Sequence, residues 1–244
     1  MNSNTEVMLE AADLHCRYGT RDALRGVQLS VRRGEVYAVL GGNGAGKSTL
    51  LHAFLGFVQP TKGSVRVAGH DAVSELQSAR AQLAYVPENV ALFEQLSARE
   101  NLRYLLGLSS SPAEPRDIDA ALDAVGLEAA ARDRRLATYS KGMRQRVALA
   151  LAVARRAPAL LLDEPSSGLD PRAISDLNAL IGRLREQGVA VLMTTHDLLA
   201  ASEIADRVGF LTDGVLTEEA SASGPTRFDV RALHQRFTAT AVRP

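Results

Sequence analysis

Short runs of apolar residues recur along the chain, separated by glycine-rich turns and by longer segments of mixed character. The runs at residues 35–40, 159–163, 189–194 and 208–211 are apolar almost throughout, which is typical of strands buried on both faces of a parallel sheet. Residues 7–18, 23–31 and 64–68 alternate more, and residues 82–87 form another short strand that Pro87 ends. These patterns predict early antiparallel strands followed by a parallel core, and hence an α/β fold with a mixed sheet.

The middle of the chain has a different pattern. From Ser97 to Ala157 the apolar spacing is mainly helical, apart from a loop at residues 109–115. We therefore predict a helical subdomain at about residues 88–157, inserted into a sheet core made of about residues 1–87 and 158–217. Residues 1–220 would form a single domain. A polar, linker-like stretch at residues 218–227 would lead into a short C-terminal extension at residues 221–244.

Composition narrows the functional classes. The 244 residues include 28 Lys and Arg and 28 Asp and Glu, so no net basic charge points to a nucleic-acid partner. The single cysteine, Cys16, excludes an internal disulfide framework. The apolar stretches are too short to span a bilayer, and we expect no signal peptide from the N-terminal residues. If the protein works at a membrane, a partner must span it.

A glycine-rich segment between the run at 35–40 and a predicted helix at 50–55 carries the first chemistry. It has the pattern of a phosphate-binding loop, in which glycines let backbone N–H groups face phosphate oxygens at a helix N-terminus. Lys47 would contact the β- and γ-phosphates, and the Ser48 hydroxyl would coordinate Mg²⁺. The segment predicts a site for a nucleoside triphosphate, formed by Gly41, Asn43, Gly44, Ala45, Gly46, Lys47, Ser48 and Thr49.

A second nucleotide motif follows the apolar run at 159–163. Asp163 and Glu164 stand at the C-terminal end of this predicted strand, the edge of an open α/β sheet at which ligands bind. Asp163 suits a Mg²⁺ ligand, and Glu164 suits a base that positions or deprotonates the attacking water.

A third motif opens the helix before that strand, at residues 139–146 (Tyr-Ser-Lys-Gly-Met-Arg-Gln-Arg). It resembles the signature motif of ABC-type ATPases, commonly Leu-Ser-Gly-Gly-Gln. Ser140 and Gly142 match that motif, whereas Tyr139, Lys141 and Met143 depart from it. Ser140 offers a hydroxyl to a γ-phosphate, and Gly142 allows close backbone approach at a helix N-terminus.

The resemblance covers nearly the whole chain and implies a P-loop NTPase (RecA-like) core with an antiparallel β subdomain and an inserted helical subdomain. It implies that Tyr18 stacks on adenine, although an ordinary strand tyrosine is the alternative. Asp170, in the sequence Ser-Gly-Leu-Asp, resembles part of the loop that crosses to a partner subunit, and His196 resembles the histidine that hydrogen-bonds the γ-phosphate and the attacking water. Glu88 stands where the family usually has glutamine, and we expect it to be a working metal or water ligand.

In this family a complete site pairs the phosphate-binding loop of one subunit with the signature of the other. The resemblance therefore implies a head-to-tail dimer with a second copy of the chain, ATP and Mg²⁺ as ligands, and a separate membrane permease that contacts residues 88–101, including Phe93 and Leu96. The chain would lie peripherally on the cytoplasmic face of the cell membrane.

The peptides at residues 85–93 and 139–146 look most like exporter-type subunits, and in particular like the ATP-binding subunit that serves copper-site maturation of nitrous oxide reductase. Because such an ATPase does not contact the cargo, its sequence does not identify the transported substrate. Two alternatives stay open: a soluble ABC ATPase acting on DNA or ribosomes, and a regulatory clamp gated by ATP without transport.

Overall fold

The computed structural model describes residues 6–108, 114–224, 227–233 and 235. Its strands are β1 Val7–Tyr18, β2 Arg21–Arg32, β3 Val36–Leu40, β4 Lys62–Val67, β5 His70–Asp71, β6 Leu83–Val86, β7 Ala159–Asp163, β8 Ala190–Thr195, β9 Arg207–Thr212 and β10 Val215–Ser221. They form two sheets. An antiparallel sheet has the order β2-β1-β4-β5, and a six-stranded sheet has the order β10-β9-β3-β8-β7-β6. In the six-stranded sheet only β10 is antiparallel to its neighbour.

The main α-helices are α1 Lys47–Phe54, α2 Leu76–Ala81, α3 Ala98–Gly107, α4 Pro115–Ala124, α5 Lys141–Ala154, α6 Pro171–Glu186 and α7 Leu198–Ile204. Residues 230–233 are also helical. Side-chain caps fix several of their starts. Ser97 and Glu100 form a capping box at α3, and Asp170 accepts a hydrogen bond from Ala173 N at α6, where Pro171 is the first helical residue.

The central strands are apolar throughout because each face of the six-stranded sheet is covered. On β3, Val36, Ala38 and Leu40 belong to a core shared with helices α3 to α7, whereas Tyr37 and Val39 belong to a second core shared with the antiparallel sheet and α1. Successive side chains of a strand point to opposite faces, so a strand between two cores needs an unbroken apolar run. This explains the pattern that the sequence shows at these strands.

The predicted α/β fold is confirmed, and the apolar runs coincide with β3, β7, β8 and β9. The early antiparallel strands form a sheet of their own, so the six-stranded sheet is mixed only through β10. Helix α1 begins three residues before the predicted helix, because the phosphate-binding loop ends directly in the helix. Two short helices, α2 and α7, have no counterpart in the prediction, since six or seven residues are too few to show a helical period.

The prediction of a linker from residue 218 is wrong for its first part, because β10 runs to Ser221. The prediction overlooked Asp213-Gly214, a dipeptide that favours two-residue hairpin turns. The polar side chains of β10 are also used in packing: Glu219 accepts a hydrogen bond from the buried Tyr37 hydroxyl and pairs with Arg207. Burial, followed by this hydrogen bond, raises the pKa of Tyr37, which therefore stays a neutral donor.

Beyond β10, the described part of the C-terminal extension packs on the domain. Phe228 and Leu233 are buried in the helical core, and Arg227 donates hydrogen bonds to the carbonyls of Ile204 and Ala205 at the end of α7. The predicted loop at 109–115 lies mostly outside the described residues, and Pro115 is already the first residue of α4. Across the described part of the chain, no helix combines the length and apolar character needed to cross a bilayer.

Candidate functional site

The phosphate-binding loop connects β3 to α1 at the C-terminal edge of the six-stranded sheet. Gly44 and Gly46 have φ angles of +79° and +110°, which a residue with a side chain adopts only under strain. A Cβ on Gly46 would also lie 2.7 Å from the Ala23 carbonyl oxygen. The backbone path that leads the loop into α1 therefore depends on glycine at position 46.

Lys47 is buried and contacts both the loop and Glu164, the residue that follows β7. Its Nζ donates hydrogen bonds to the Gly41 carbonyl at 2.6 Å and to the Gly42 carbonyl at 3.3 Å, and it lies 3.1 Å from Glu164 Oε1. Both charged side chains are more than nine-tenths buried, at 8% and 9% exposed. A buried charge needs a partner and hydrogen bonds, and each of these two supplies the other's counter-charge.

Glu164 is also held by His196. Its Oε2 accepts a hydrogen bond from His196 N at 3.2 Å and lies 2.8 Å from His196 Nδ1. The backbone of Glu164 has a φ of +46°, an uncommon and costly conformation for a residue with a side chain. The His196 side chain itself is exposed, so the pair presents a carboxylate and an imidazole at the edge of the site. Such a pair can accept a proton and orient a water molecule.

Asp163, at the end of β7, connects the loop to β8. The Ser48 hydroxyl donates to Asp163 Oδ2 at 3.2 Å, and the buried Thr194 hydroxyl donates to Asp163 Oδ1. Burial, together with the charge of Asp163, raises the pKa of Tyr85 on the neighbouring strand to about 12. The result is a carboxylate oriented by two hydroxyl groups beside the phosphate-binding loop.

A cavity of about 380 Å³ brings most of the predicted site together. Its lining includes the loop, the Tyr18 side chain, Glu88 and Glu164. Four other predicted residues do not line the cavity. Gly41 and Ala45 are buried within the loop, Asp163 contacts the lining residue Ser48, and His196 contacts the lining residue Glu164. The lining residues are Tyr18, Arg21, Ala23, Gly42, Asn43, Gly44, Gly46, Lys47, Ser48, Thr49, Glu88 and Glu164.

Three other predicted site residues line a different cavity. Ser140, Gly142 and Asp170 line this second cavity, of about 340 Å³, on the face formed by the starts of α5 and α6. Ser140 Oγ accepts a hydrogen bond from Met143 N at 3.2 Å, and Asp170 Oδ1 accepts one from Ala173 N at 2.9 Å. Within one chain, both side chains therefore act as helix N-caps.

Two residues at the site were missed by the sequence reasoning. Arg21 lines the nucleotide cavity, and its Nη2 lies 3.4 Å from the Gly44 carbonyl oxygen. Arg21 is the first residue of β2, directly after the turn that follows Tyr18. Its nearness in sequence to the predicted adenine-stacking ring was therefore a usable signal. Thr194 offered no such signal, since a threonine near the end of a buried strand is ordinary.

Comparison with known proteins fits this geometry. The sequence matches the model of the ABC transporter family over residues 24–167. The chain is 33% identical over 229 residues to the ABC transporter ATP-binding protein YdbJ of Bacillus subtilis, which covers 93% of this chain and 74% of that protein. The protein belongs to the ABC transporter ATP-binding family.

Two further relatives extend the comparison. The daunorubicin resistance ATP-binding protein DrrA3 of Streptomyces coeruleorubidus is 35% identical to this ABC ATP-binding chain over 253 residues, covering 99% of this chain and 79% of that protein. The dimeric, post-hydrolysis structure of the ATP-binding cassette MJ0796 with ADP and Pi superposes with a TM-score of 0.80 at 27% identity, covering 89% of this chain and all of that one. The chain is therefore an ABC-type ATPase with a P-loop NTPase fold.

Replacing Thr194 by valine tests the support that its hydroxyl gives to Asp163. Valine keeps the buried shape but removes the donor to Asp163 Oδ1, and leaving a buried acceptor unpaired costs about 1–3 kcal/mol. We expect Thr194→Val to lower kcat/KM for ATP about tenfold, which corresponds to about 1.4 kcal/mol. Steady-state ATPase assays of the purified variants measure this.

The conservative variant Thr194→Ser is the control, because it keeps the hydroxyl and should keep most of the activity. Equal losses in the serine and valine variants would contradict the role of the hydrogen bond, because only the valine variant lacks the hydroxyl.

Proposed function

We propose that this chain is the ATP-hydrolysing subunit of a membrane transporter and that it works by ATP-driven closure of a dimer. The observation that carries the proposal is the separation of the site into two halves. The phosphate-binding loop and Glu164 line one cavity, whereas Ser140, Gly142 and Asp170 line another. One chain therefore offers two incomplete surfaces, and a second copy in head-to-tail orientation would complete both.

Within one half-site, the side chains divide the work. The loop N–H groups and Lys47 bind the phosphates, and the Tyr18 ring, which is exposed at the cavity mouth, stacks on adenine. A γ-phosphate that takes Lys47 competes with Glu164 for the same ammonium group. Binding of ATP therefore releases Glu164 from its resting ion pair and leaves its carboxylate available to water.

Hydrolysis then follows ordinary phosphoryl-transfer chemistry. Glu164 accepts a proton from the attacking water, the water oxygen bonds to the γ-phosphorus, and the bond to the β,γ-bridging oxygen breaks to give ADP and phosphate. His196, which contacts Glu164 Oε2, orients the water and hydrogen-bonds the γ-phosphate. The dimer reopens when phosphate leaves, because the contacts that favoured closure are lost.

The side-chain oxygens of Ser48 and Asp163 are suitable ligands for Mg²⁺. Ser48 Oγ and Asp163 Oδ2 lie 3.2 Å apart and are both oxygen donors, and Mg²⁺ is usually held by one or two protein oxygens together with phosphates and water. No cluster of three or more His, Cys, Asp or Glu side chains suited to a metal occurs among the described residues. When bound, the ion neutralises charge that develops on the phosphates.

Glu88 is proposed as an additional metal or water ligand. It lines the nucleotide cavity, and its Oε1 lies 3.5 Å from the Ser167 hydroxyl, in the loop that leads to Asp170. An exposed carboxylate at this wall can reach a hydrated cation, and the contact with Ser167 would make its position sensitive to the partner-facing loop.

A membrane permease is the proposed partner to which the closure of the dimer is transmitted. Phe93 lies in the segment expected to contact it, and its exposed ring packs edge-on against exposed Tyr104 with the ring centroids 5.1 Å apart. Exposed aromatic side chains of this kind are typical of protein interfaces. The chain would then sit on the cytoplasmic face of the membrane without entering it.

The nature of the cargo has two candidates. The daunorubicin-resistance relative supports export of a small organic molecule. The peptides at residues 85–93 and 139–146 favour the narrower prediction, copper or cofactor export for nitrous oxide reductase maturation. Comparing drug sensitivity and reductase copper loading in a host strain with and without the chain distinguishes the two.

The clamp mechanism predicts a specific behaviour for Glu164→Gln. The amide cannot accept the proton, so we expect ATP hydrolysis to fall at least about a hundredfold, the lower range for a general base. Because ATP is then not consumed, light scattering in ATP should show a dimer. Adding Lys47→Ala or Gly142→Asp to this variant should abolish the dimer, since each damages one half of the shared site.

A Glu164→Gln chain that hydrolyses ATP at the wild-type rate would contradict the assignment of the base. A chain without hydrolysis that stays monomeric in ATP would favour the regulatory alternative or an obligatory permease. Repeating the assay with the co-expressed permease then separates those two.

Glu88→Gln tests the proposed ligand. The amide keeps the size but removes the negative charge, so we expect the Mg²⁺ concentration for half-maximal ATPase activity to change by about threefold or more, on the scale of a lost charge-assisted contact. Glu94→Gln, which alters an exposed carboxylate on the same segment, serves as the control. If the ATPase rate, Mg²⁺ dependence and pH profile of Glu88→Gln all equal those of the wild type, Glu88 has no such role.

A further inference from the structure

The turn between β9 and β10 lies directly behind the phosphate-binding loop. Asp213 and Gly214 form this turn with φ angles of +47° and +78°, the left-handed pair that a two-residue hairpin favours. The turn is distant in sequence from the loop, and none of the nucleotide motifs includes it. Its position follows from the sheet order, in which β9 is the neighbour of β3 and β3 leads into the loop.

Three hydrogen bonds attach the turn to the loop and to β2. Gly214 N donates to the Ala45 carbonyl at 2.9 Å, in the middle of the loop. Gly214 O accepts from Arg25 N at 2.7 Å, and Arg25 Nε donates to the Asp213 carbonyl at 2.8 Å. The turn therefore bridges the loop and β2.

The Ala45 contact bears on the orientation of the loop. A phosphate-binding loop turns its N–H groups toward the phosphate, so its carbonyls need partners elsewhere. Ala45 is only 7% exposed, and the Gly214 N–H is the hydrogen-bond donor that the structure gives its carbonyl. If that donor is displaced, the loop either leaves a buried carbonyl unpaired or rotates the peptide and spoils the phosphate nest.

The fit leaves no room for a side chain at residue 214. A Cβ on Gly214 would lie 2.6 Å from the Ala23 carbonyl oxygen and 3.1 Å from Leu24 Cα, both backbone atoms. Gly46 of the loop also lies close to the turn, since a Cβ built on it would lie 3.6 Å from Gly214 Cα. Any residue but glycine at 214 must push the turn away from β2, and such a shift also moves the Gly214 N–H that donates to the Ala45 carbonyl.

We propose that Gly214 is a positioning residue for nucleotide binding, whose backbone N–H holds the Ala45 carbonyl and so fixes the phosphate-binding loop from behind. The inference rests on the proposed role of residues 41–49 in binding phosphate. It also gives β10 a function, because Arg207 and Tyr37 anchor that strand through Glu219. Coupling is reciprocal, so a bound nucleotide should in turn stabilise the β9–β10 turn.

The chain contains a matched control for the experiment. The turn between β4 and β5 has the same backbone geometry, with φ angles of +47° at Ala68 and +83° at Gly69, but a Cβ on Gly69 would have nothing within 4 Å. Gly69→Ala and Gly214→Ala therefore impose the same left-handed strain on an alanine. Only Gly214→Ala also makes the new Cβ collide with the backbone of β2, next to the hydrogen bond that joins the turn to the phosphate-binding loop.

The measurement is the dissociation constant of ADP, by calorimetry, for the full-length wild type and variants, with unfolding curves recorded in parallel. We expect Gly214→Ala to weaken ADP binding at least about tenfold, equivalent to about 1.4 kcal/mol, and Gly69→Ala to change it less than about twofold. In the wild type, ADP should also slow amide hydrogen exchange at residues 211–216. Equal ADP affinities in the two alanine variants, or no effect of ADP on exchange at the turn, would overturn the inference.

Two further variants keep the test decisive. If Gly214→Ala does not fold, Arg25→Ala removes the side-chain bond to Asp213 without straining the turn, and it should weaken ADP binding more than Arg17→Ala in the same antiparallel sheet; equal effects would overturn the inference. Lys47→Ala tests the loop itself. If Lys47→Ala binds ADP as tightly as the wild type, the phosphate-binding assignment fails and the inference fails with it. If only Lys47→Ala loses ADP binding, the assignment stands and the role of Gly214 does not.

Discussion

The buried ion pair between Lys47 and Glu164 is the interaction on which the organisation of the site depends. It joins the loop after β3 to the residue after β7, and His196 extends the connection to the end of β8. Two buried charges of opposite sign are tolerable only when both are present and well bonded. Three separate strand ends are thereby held in one arrangement, with Glu164 occupying the partner position that a phosphate would take.

In that arrangement, these polar groups of the site already have partners within the chain. Lys47 has two carbonyl partners and a carboxylate, Asp163 has two hydroxyl donors, and the loop carbonyl of Ala45 has Gly214 behind it. If Lys47 binds phosphate as proposed, a nucleotide replaces existing contacts and does not merely fill a cavity. Exchange of this kind gives a physical reason for coupling between ligand binding and the positions of Glu164 and His196.

Much of the fold and of the site was predictable from the sequence for identifiable reasons. Strands between two cores need unbroken apolar runs, and the runs at 159–163 and 208–211 gave β7 and β9 nearly to the residue. The phosphate-binding loop was predictable because its backbone path requires glycine at particular positions. The prediction failed where the decisive partner is distant in sequence. The polar strand β10 is ordered by Tyr37 and Arg207, and Thr194 matters through its contacts with Asp163 and Glu164.

The central claim is that the two surfaces of one chain meet only across a dimer of two chains. The direct measurement is thiol cross-linking of a Glu164→Gln chain that carries Asn43→Cys and Lys141→Cys, and the controls are the chains that carry only one of these two cysteine substitutions. Native Cys16 will not interfere, because it is buried and burial raises its pKa to about 11. The account predicts a covalent dimer that forms in ATP and not in its absence. Cross-links confined to single chains, or equal cross-linking with and without ATP, would contradict it.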